Sequence, residues 1–295
     1  MIDLHMHTKY SDGSDSLIEL LENCEKANLE IISITDHDTC DAYDELNKLN
    51  VKNYFTGKII NGIEMTTSFQ GYRIELLAYG FDNHIKVSDY LESFHTKKHW
   101  DNIYKSLRVE FLDRIDLMGI LYEKEKFKDL SIDKFESKLY ESFLKCNSNL
   151  KDILQEEYCE TGYEFFRSCI SNPKSQFYIK YATYNPDASY LVDFIHKNCG
   201  KIFLAHAFLY DIPNMKEFLD EINKIGIDGL ECFHYSFTDE ELIWIKDYAT
   251  TNNLLISGGS DYHGTKREGI YLGKGKGNLN ISKDIINNWN INNFL

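Results

Sequence analysis

The sequence predicts an α/β fold, a parallel barrel or open sheet of β/α units interrupted by a helical insertion. Short β-branched runs alternate with helix-patterned segments toward both ends of the 295-residue chain. The middle has a different texture, rich in Lys, Glu, Asp, Leu and Tyr and without a strand pattern. Histidines and carboxylates recur where the strands stop, as they do when strand ends share one face of a barrel.

The elements follow in order. Ile2 to His7 alternates apolar and polar residues, a half-buried strand. Ser16-Leu17-Ile18-Glu19 is a capping box, and Leu17, Leu20, Leu21 and Cys24 continue at helical spacing. Ile31 to Thr35 and Ile59 to Ile63 are β-branched strands, and Tyr72 to Phe81 is a fourth after a turn at Gln70-Gly71. From about Val87 to Glu164 helices are expected, and Pro173 and Pro186 mark a loop-rich return. Ser189 to Asn198 then reads as a helix stopped at Gly200, Lys201 to Ala205 as a strand, and Met215 to Ile225 as a helix. Leu230 to Phe233 is a strand, Thr238-Asp239-Glu240-Glu241 a second capping box, and Leu254 to Ser257 the last strand. The expected organisation is a barrel from residues 1–86 and 186–295, with 87–185 as a helical insertion or cap.

Composition narrows the function. A hydrophobic content of 43% fits a folded core rather than a disordered chain. No apolar run approaches the roughly 20 residues that span a bilayer, so no membrane partner is expected. No basic region followed by an apolar stretch opens the chain, and the seven cysteines are scattered without a CxxC pair. Reduced thiols in a cytoplasm are the expectation. A net charge of −15 disfavours long nucleic-acid grooves and argues for a small substrate.

The chemistry lies at the strand ends. His5 and His7, two apart on a strand, point to one side and can clip a metal, leaving Ile2, Leu4 and Met6 to pack opposite. Asp12 follows in a turn. His37 sits within Asp36-His37-Asp38 after the second strand, Glu64 closes the third, and Glu75 lies in the fourth. His206 follows the Ile202-Phe203-Leu204-Ala205 strand, and Asp261 and His263 follow the last. Nine candidates exceed what one ion needs. Mixed imidazole and carboxylate ligation without thiolate suits Zn, Mn or Fe, in two or three clustered ions, with Glu64 able to bridge a pair.

These residues, as His5-Met6-His7-Thr8, Tyr10-Ser11-Asp12-Gly13, Thr35-Asp36-His37-Asp38-Thr39, Gly62-Ile63-Glu64, Leu204-Ala205-His206 and Gly259-Ser260-Asp261-Tyr262-His263-Gly264, resemble the PHP (polymerase and histidinol phosphatase) superfamily. The similarity is to its stand-alone phosphoesterases acting on nucleotides. It implies a distorted (β/α)7 TIM-like barrel with a trinuclear site. His5, His7, Glu64 and Asp261 would hold one metal; Glu64, Glu75 and His206 a second; Asp12, His37 and His263 a third. Where Glu75 stands, that branch usually has histidine, and glutamate favours harder ions.

Other residues weigh less. His234 ends a strand and could contact phosphate or give a proton to the leaving group, while Lys266 and Arg267 could bind phosphate oxygens. Asp36 and Asp38 read as supporting groups, Arg73 as a partner of a nearby carboxylate, and His95 with His99 as a polar helix face. The expected activity is hydrolysis of phosphate monoesters of nucleotides or small phosphorylated metabolites through metal-activated water. The alternatives are a 5′-3′ exonuclease on short RNA or DNA, a histidinol-phosphate phosphatase, and a non-catalytic metal-binding regulatory module.

Overall fold

The computed structural model describes residues 1–94, 97–291 and 295; the His95/His99 spacing falls outside them. In chain order the first part comprises β1 (Ile2–Asp3), α1 (Leu17–Lys26), β2 (Ile31–Ile34), α2 (Asp41–Leu46), β3 (Lys58–Phe69), β4 (Tyr72–Tyr79) and α3 (His84–Glu92). Then come α4 (Lys97–Leu117), α5 (Phe135–Cys146), α6 (Leu150–Leu154) and α7 (Gly162–Phe165). The chain returns through α8 (Ala188–Lys197), β5 (Lys201–Leu204), α9 (Met215–Lys224), β6 (Gly229–Phe233), α10 (Asp239–Thr251) and β7 (Leu255–Gly258). Both capping boxes form, Ser16 with Glu19 and Thr238 with Glu241, which fixes where α1 and α10 begin.

The strands lie in sequence order in one seven-stranded curled sheet. Its edges meet through Leu4 N to Gly258 O (3.2 Å), Asp261 N to His5 O (2.8 Å) and His7 N to Tyr262 O (2.8 Å). The fold is thus the expected distorted barrel, with one departure from parallel strands. β4 runs antiparallel to both β3 and β5. The cause is local: Gln70 and Gly71, both at positive φ, form a two-residue hairpin, and a parallel crossover needs a dozen residues or more. Reversal brings the first half of β4, rather than its end, to the face where the other strands finish.

Two cores serve the barrel. Leu17, Leu20, Ile32, Ile63, Leu191, Leu219 and their neighbours pack the helices onto the sheet. Ile2, Leu4, Ile60, Leu77, Tyr79, Phe203 and Trp289 form a separate cluster. By strand alternation Ile60 shares a face with Glu64, and Leu77 and Tyr79 share one with Glu75, so this cluster fills the interior beneath them. The expectation that Ile2, Leu4 and Met6 share a packing face is corrected. Regular pairing of β1 ends at Asp3, Ile2 and Leu4 both face the interior, and only Met6 reaches the helix layer.

A third apolar cluster runs from Leu107 to Ile179 and is built from α4, α5 and the segments after them. Val87 and Leu91 of α3 pack with the barrel instead. Tyr178 Oη donates to Gly71 O at 2.8 Å, and Arg167 donates to Leu209 O, so this helical unit is tied to the β3–β4 turn and to the loop after β5. Among the described residues no helix is long and apolar enough to cross a membrane.

Trp289 plugs the barrel floor, fully buried, with its indole N–H on Ile256 O at 3.2 Å. Trp289→Ala is expected to cost about 3–5 kcal/mol of stability. A denaturant midpoint equal to that of the parent chain would show that the floor does not hold the barrel.

Candidate metal centre

All nine strand-end residues converge. Glu64, 1% exposed, is the hub. Its Oε2 lies 3.1 Å from His5 Nε2, 3.2 Å from His7 Nε2 and 3.3 Å from His37 Nδ1, and its Oε1 lies 2.8 Å from His206 Nε2. Asp261 faces Glu64 across the same imidazoles, with Oδ1 3.3 Å from His7 Nε2 and 3.5 Å from His5 Nε2. Asp12 Oδ1 lies 3.1 Å from His263 Nε2 and 3.8 Å from His37 Nε2. Glu75 Oε2 is 3.5 Å from His206 Nε2.

Three groups bring ligand atoms close enough to surround an ion: His5, His7, Glu64 and Asp261; His7, Asp12, His37 and His263; and His37, Glu64 and Glu75. The first is the set expected. The other two differ in that His7 and His37 each belong to more than one group, while His206 reaches Glu64 and Glu75 directly.

Local structure explains the convergence. Asp36 accepts from Thr8 N (2.7 Å), Thr8 Oγ1 (2.7 Å) and Ser11 Oγ (2.6 Å), fastening the loop that carries Asp12 to the end of β2. Asp38 Oδ1 accepts from Thr66 N at 2.7 Å, joining that end to β3. Gly259 sits where a Cβ would meet His5 N at 2.3 Å, so only glycine lets the last strand approach the first. Two site residues occupy left-handed backbone, His206 at φ 22° and Asp261 at φ 51°, each at a cost of about 1–3 kcal/mol.

The electrostatics demand cations. Burial opposes a charge on His5, but Glu231, Glu64 and Asp261 outweigh it and hold its pKa well above the ordinary value. His7 rises to about 9, with burial again opposing and Asp261 and Glu64 prevailing. Burial works against the Glu64 carboxylate, yet His5, His37 and His206 keep its pKa well below the usual range. Geometry sharpens the point. His7 Nε2, His37 Nδ1, His206 Nδ1 and His263 Nε2 are buried without an aligned hydrogen bond. Several of these nitrogens lie within 3.1–3.3 Å of carboxylate oxygens but aim past them. Acceptor lone pairs and carboxylates directed at shared points are what divalent cations satisfy, so the donor set fits metal.

The remaining candidates separate. His234 joins the centre, buried, with Nε2 3.2 Å from Asp261 Oδ2 and Nδ1 2.7 Å from Ser236 Oγ. Arg267 is half-buried and pairs with Asp261 Oδ2, while Lys266 is exposed. Arg73 pairs with Glu75 Oε1 at 2.9 Å, as its spacing suggested. His84 and His196 bind Asp44 and Asp228 away from the centre.

Two carboxylates escaped the sequence reading. Asp3 is buried and accepts from Ser260 N (2.9 Å), Ser260 Oγ (2.6 Å) and Gly273 N (2.7 Å), clamping the loop that leads to Asp261. Glu231 accepts from His206 N at 2.7 Å and contacts His5 Nδ1 at 2.8 Å, so one buried side chain orients the His5 imidazole and holds the backbone that carries His206. The available signal was a lone acid inside the apolar Leu230–Phe233 run. Glu231→Gln is expected to weaken metal affinity by about 10–100-fold, the usual effect of removing a group that orients a ligand. Titration with Mn or Zn reads this directly, and parental affinity would deny Glu231 that role.

Comparison with known proteins agrees with this geometry. The phosphoribosyl 1,2-cyclic phosphate 1,2-diphosphodiesterase of Eggerthella lenta is 26% identical over 89% of this chain and 94% of its own. The 5′-3′ exoribonuclease of Haemophilus influenzae is 25% identical over 97% of each chain. Among solved structures, a Bifidobacterium adolescentis protein provisionally described as a metal-dependent phosphoesterase shares the fold at TM-score 0.60 and 23% identity, covering 97% of this chain and 93% of that one. An amidohydrolase from Chromobacterium violaceum does so at 0.58 and 19%, covering 90% and 88%. The model of the PHP domain matches residues 3–184, more than half of the chain, and this protein belongs to the PHP domain family.

Proposed function

We propose that this PHP-domain hydrolase cleaves phosphate monoesters of nucleotides or small phosphorylated metabolites. The observation that carries the reading is the set of buried nitrogens of His7, His37 and His263, without aligned hydrogen bonds, converging with Glu64, Asp261, Asp12 and Glu75. Two or three divalent ions, Mn, Zn or Fe, fit that set. His5, His7, Glu64 and Asp261 would hold one; Glu64, Glu75 and His206, with His37 at their edge, a second; Asp12, His37 and His263, with His7, a third. When bound, the ions neutralise phosphoryl oxygens and lower the pKa of water for in-line attack.

The chain's own residues do the rest. Glu231 and Asp3 keep His5 and the Asp261 loop in place. Asp12, with a side chain 51% exposed, borders the open side of the centre, where a phosphoryl group enters. His234 supplies the proton to the leaving oxygen. Arg267 steadies Asp261, and together with Lys266 it attracts phosphate oxygens. The helical unit from α4 to residue 185 acts as the cap over this face. All seven cysteines are free thiols, which suits the cytoplasm.

A second reading is 5′-3′ hydrolysis of short RNA. It is favoured by the near full-length similarity to an exoribonuclease and disfavoured by the net charge of −15.

The test is phosphate release by Mn-loaded protein from nucleoside mono- and bisphosphates, histidinol phosphate and short 5′-phosphorylated RNA. Release from a small-ester class is expected, falling to background in His7→Ala and Asp261→Ala with the fold kept. Full activity in either variant would refute the metal assignment, and release confined to RNA would favour the second reading.

A further inference from the structure

One cavity of the helical unit, about 700 Å³, lies between that unit and β4 and takes walls from Arg73, Tyr104 and Tyr181. A second, about 430 Å³, has a different chemistry, because Cys159 and Cys169 both border it beside Glu157, Glu164 and Asp211. Neither cysteine belongs to the metal centre.

The two thiols are ten positions apart in the chain and are brought together by the fold. Cys159 precedes α7, and the Tyr140 hydroxyl fixes both its N–H (2.8 Å) and its carbonyl (2.7 Å). Cys169 lies in a single π-helical turn, Phe166–Ile170, that continues α7. Both sulfurs donate to one oxygen, Glu157 O, which is 3.7 Å from Cys159 Sγ and 3.5 Å from Cys169 Sγ. The thiols also hydrogen-bond each other. Packing accounts for sulfur in an apolar cluster. It gives no reason for two sulfurs to share an acceptor, touch, and face a cavity lined by acids.

Contact of this kind is close to what a disulfide needs, with Cβ atoms roughly 3.8 Å apart. The wide turn carrying Cys169 is a place where helical backbone can shift locally to reach that geometry. Burial pushes both thiols up from the ordinary range, and the hydrogen bond between them lowers Cys159 while raising Cys169. Cys159 is therefore the attacking sulfur and Cys169 the one that keeps its proton. Glu157, Glu164 and Asp211 disfavour anionic oxidants such as glutathione disulfide, so a small neutral peroxide is the fitting reagent.

The Cys159 thiolate attacks one oxygen of hydrogen peroxide and the O–O bond breaks. The sulfur becomes a sulfenic acid, and the departing hydroxide leaves as water with the proton that Cys159 released. Cys169 sulfur then attacks the sulfenic sulfur, the S–O bond breaks, and that hydroxide takes the Cys169 proton as a second water. Two thiols thus lose two electrons to one peroxide. The new bond closes a ring that contains α7 and Arg167, and Arg167 donates to Leu209 O in the loop after β5.

We infer that Cys159 and Cys169 are a modification site, a dithiol that peroxide converts to an intrachain disulfide, which then braces the Arg167 tie between the helical unit and the barrel. The chemistry is independent of the hydrolytic reaction.

Trypsin cuts after Arg167, between the two cysteines, so the bond can be read directly. The full-length protein, reduced and freed of reductant, is treated with hydrogen peroxide at mildly alkaline pH, alkylated and digested. Peptides 152–167 and 168–174 are expected as one linked species, lighter by two hydrogens than their sum and separated again by dithiothreitol. Hydrogen exchange across residues 160–168 should slow severalfold in the oxidised protein. Cys169→Ser removes the resolving thiol without adding bulk, and dimedone should then mark Cys159. Recovery of the two peptides separately after peroxide, each alkylated, or linked only to other cysteines such as Cys199, would overturn the site. A linked pair with unchanged exchange at 160–168 would overturn the bracing, and an unmarked Cys159 in Cys169→Ser would overturn its role as the attacking sulfur.

Discussion

Everything at the open face depends on one buried carboxylate. Glu64 is withdrawn from bulk solvent, and an ionised carboxylate in such a place persists only if cations or hydrogen-bond donors surround it. Four imidazoles from the ends of β1, β2 and β5 supply that surrounding. The constraint therefore reaches far into the fold. The barrel must curl until its first, second and fifth strands bring their histidines to the third. The backbone bonds between residues 4–7 and 258–262 are the seam that makes this possible. Protons on the imidazoles and bound divalent ions answer the same electrostatic demand, and ions answer it better because they also use the lone pairs that no hydrogen bond occupies.

The centre is correspondingly costly. It stores positive φ at His206 and Asp261, packs imidazole rings as close as 4.1 Å between His7 and His263, and buries several acids. The strained backbone and the desolvation of these groups both oppose folding. The compensation lies elsewhere, in the apolar floor built from Leu4, Leu77, Phe203 and Trp289 and in the helix layer around the sheet. Asp3 and Glu231 sit at the boundary between the two zones. Each spends a buried charge to hold backbone that would otherwise relax: Asp3 at Ser260 and Gly273, Glu231 at His206.

This division of labour explains what was legible in the sequence. The strand ends were, because histidines and acids placed after β-branched runs have no reason to recur in a packing layer. The capping boxes were, because they are local. The direction of β4 was within reach, since a two-residue Gln70-Gly71 turn permits only a hairpin, but the rhythm of β/α units elsewhere suggested a parallel neighbour. Glu231 and Asp3 were obscured by the apolar runs around them. Arg267 gave no sign that it would face Asp261, and the change of side between Leu4 and Met6 breaks the alternation that periodicity assumes. The cavity between β4 and the helical unit is assembled from β4, α4, α5 and loops more than a hundred residues apart, and no spacing rule connects Arg73 to Tyr181.

The reversal of β4 also bears on the residue that departs from the family resemblance. Histidine, implied at position 75, would bring a neutral ligand, whereas Glu75 brings a charge that Glu64 opposes. Because side chains alternate along a strand, Arg73 faces the same way as Glu75, and their ion pair returns the corner to the net charge a neutral imidazole would give. Burial raises the Glu75 pKa and Glu64 adds to that, yet Arg73 and His206 prevail and the carboxylate stays ionised. The exchange of imidazole for carboxylate is thus a change of ligand type more than of total charge. It is matched by a guanidinium two residues away, and that guanidinium also lines the cavity between β4 and the helical unit. In this chain the composition of the second metal corner and the shape of the space beside it are set by the same pair of side chains.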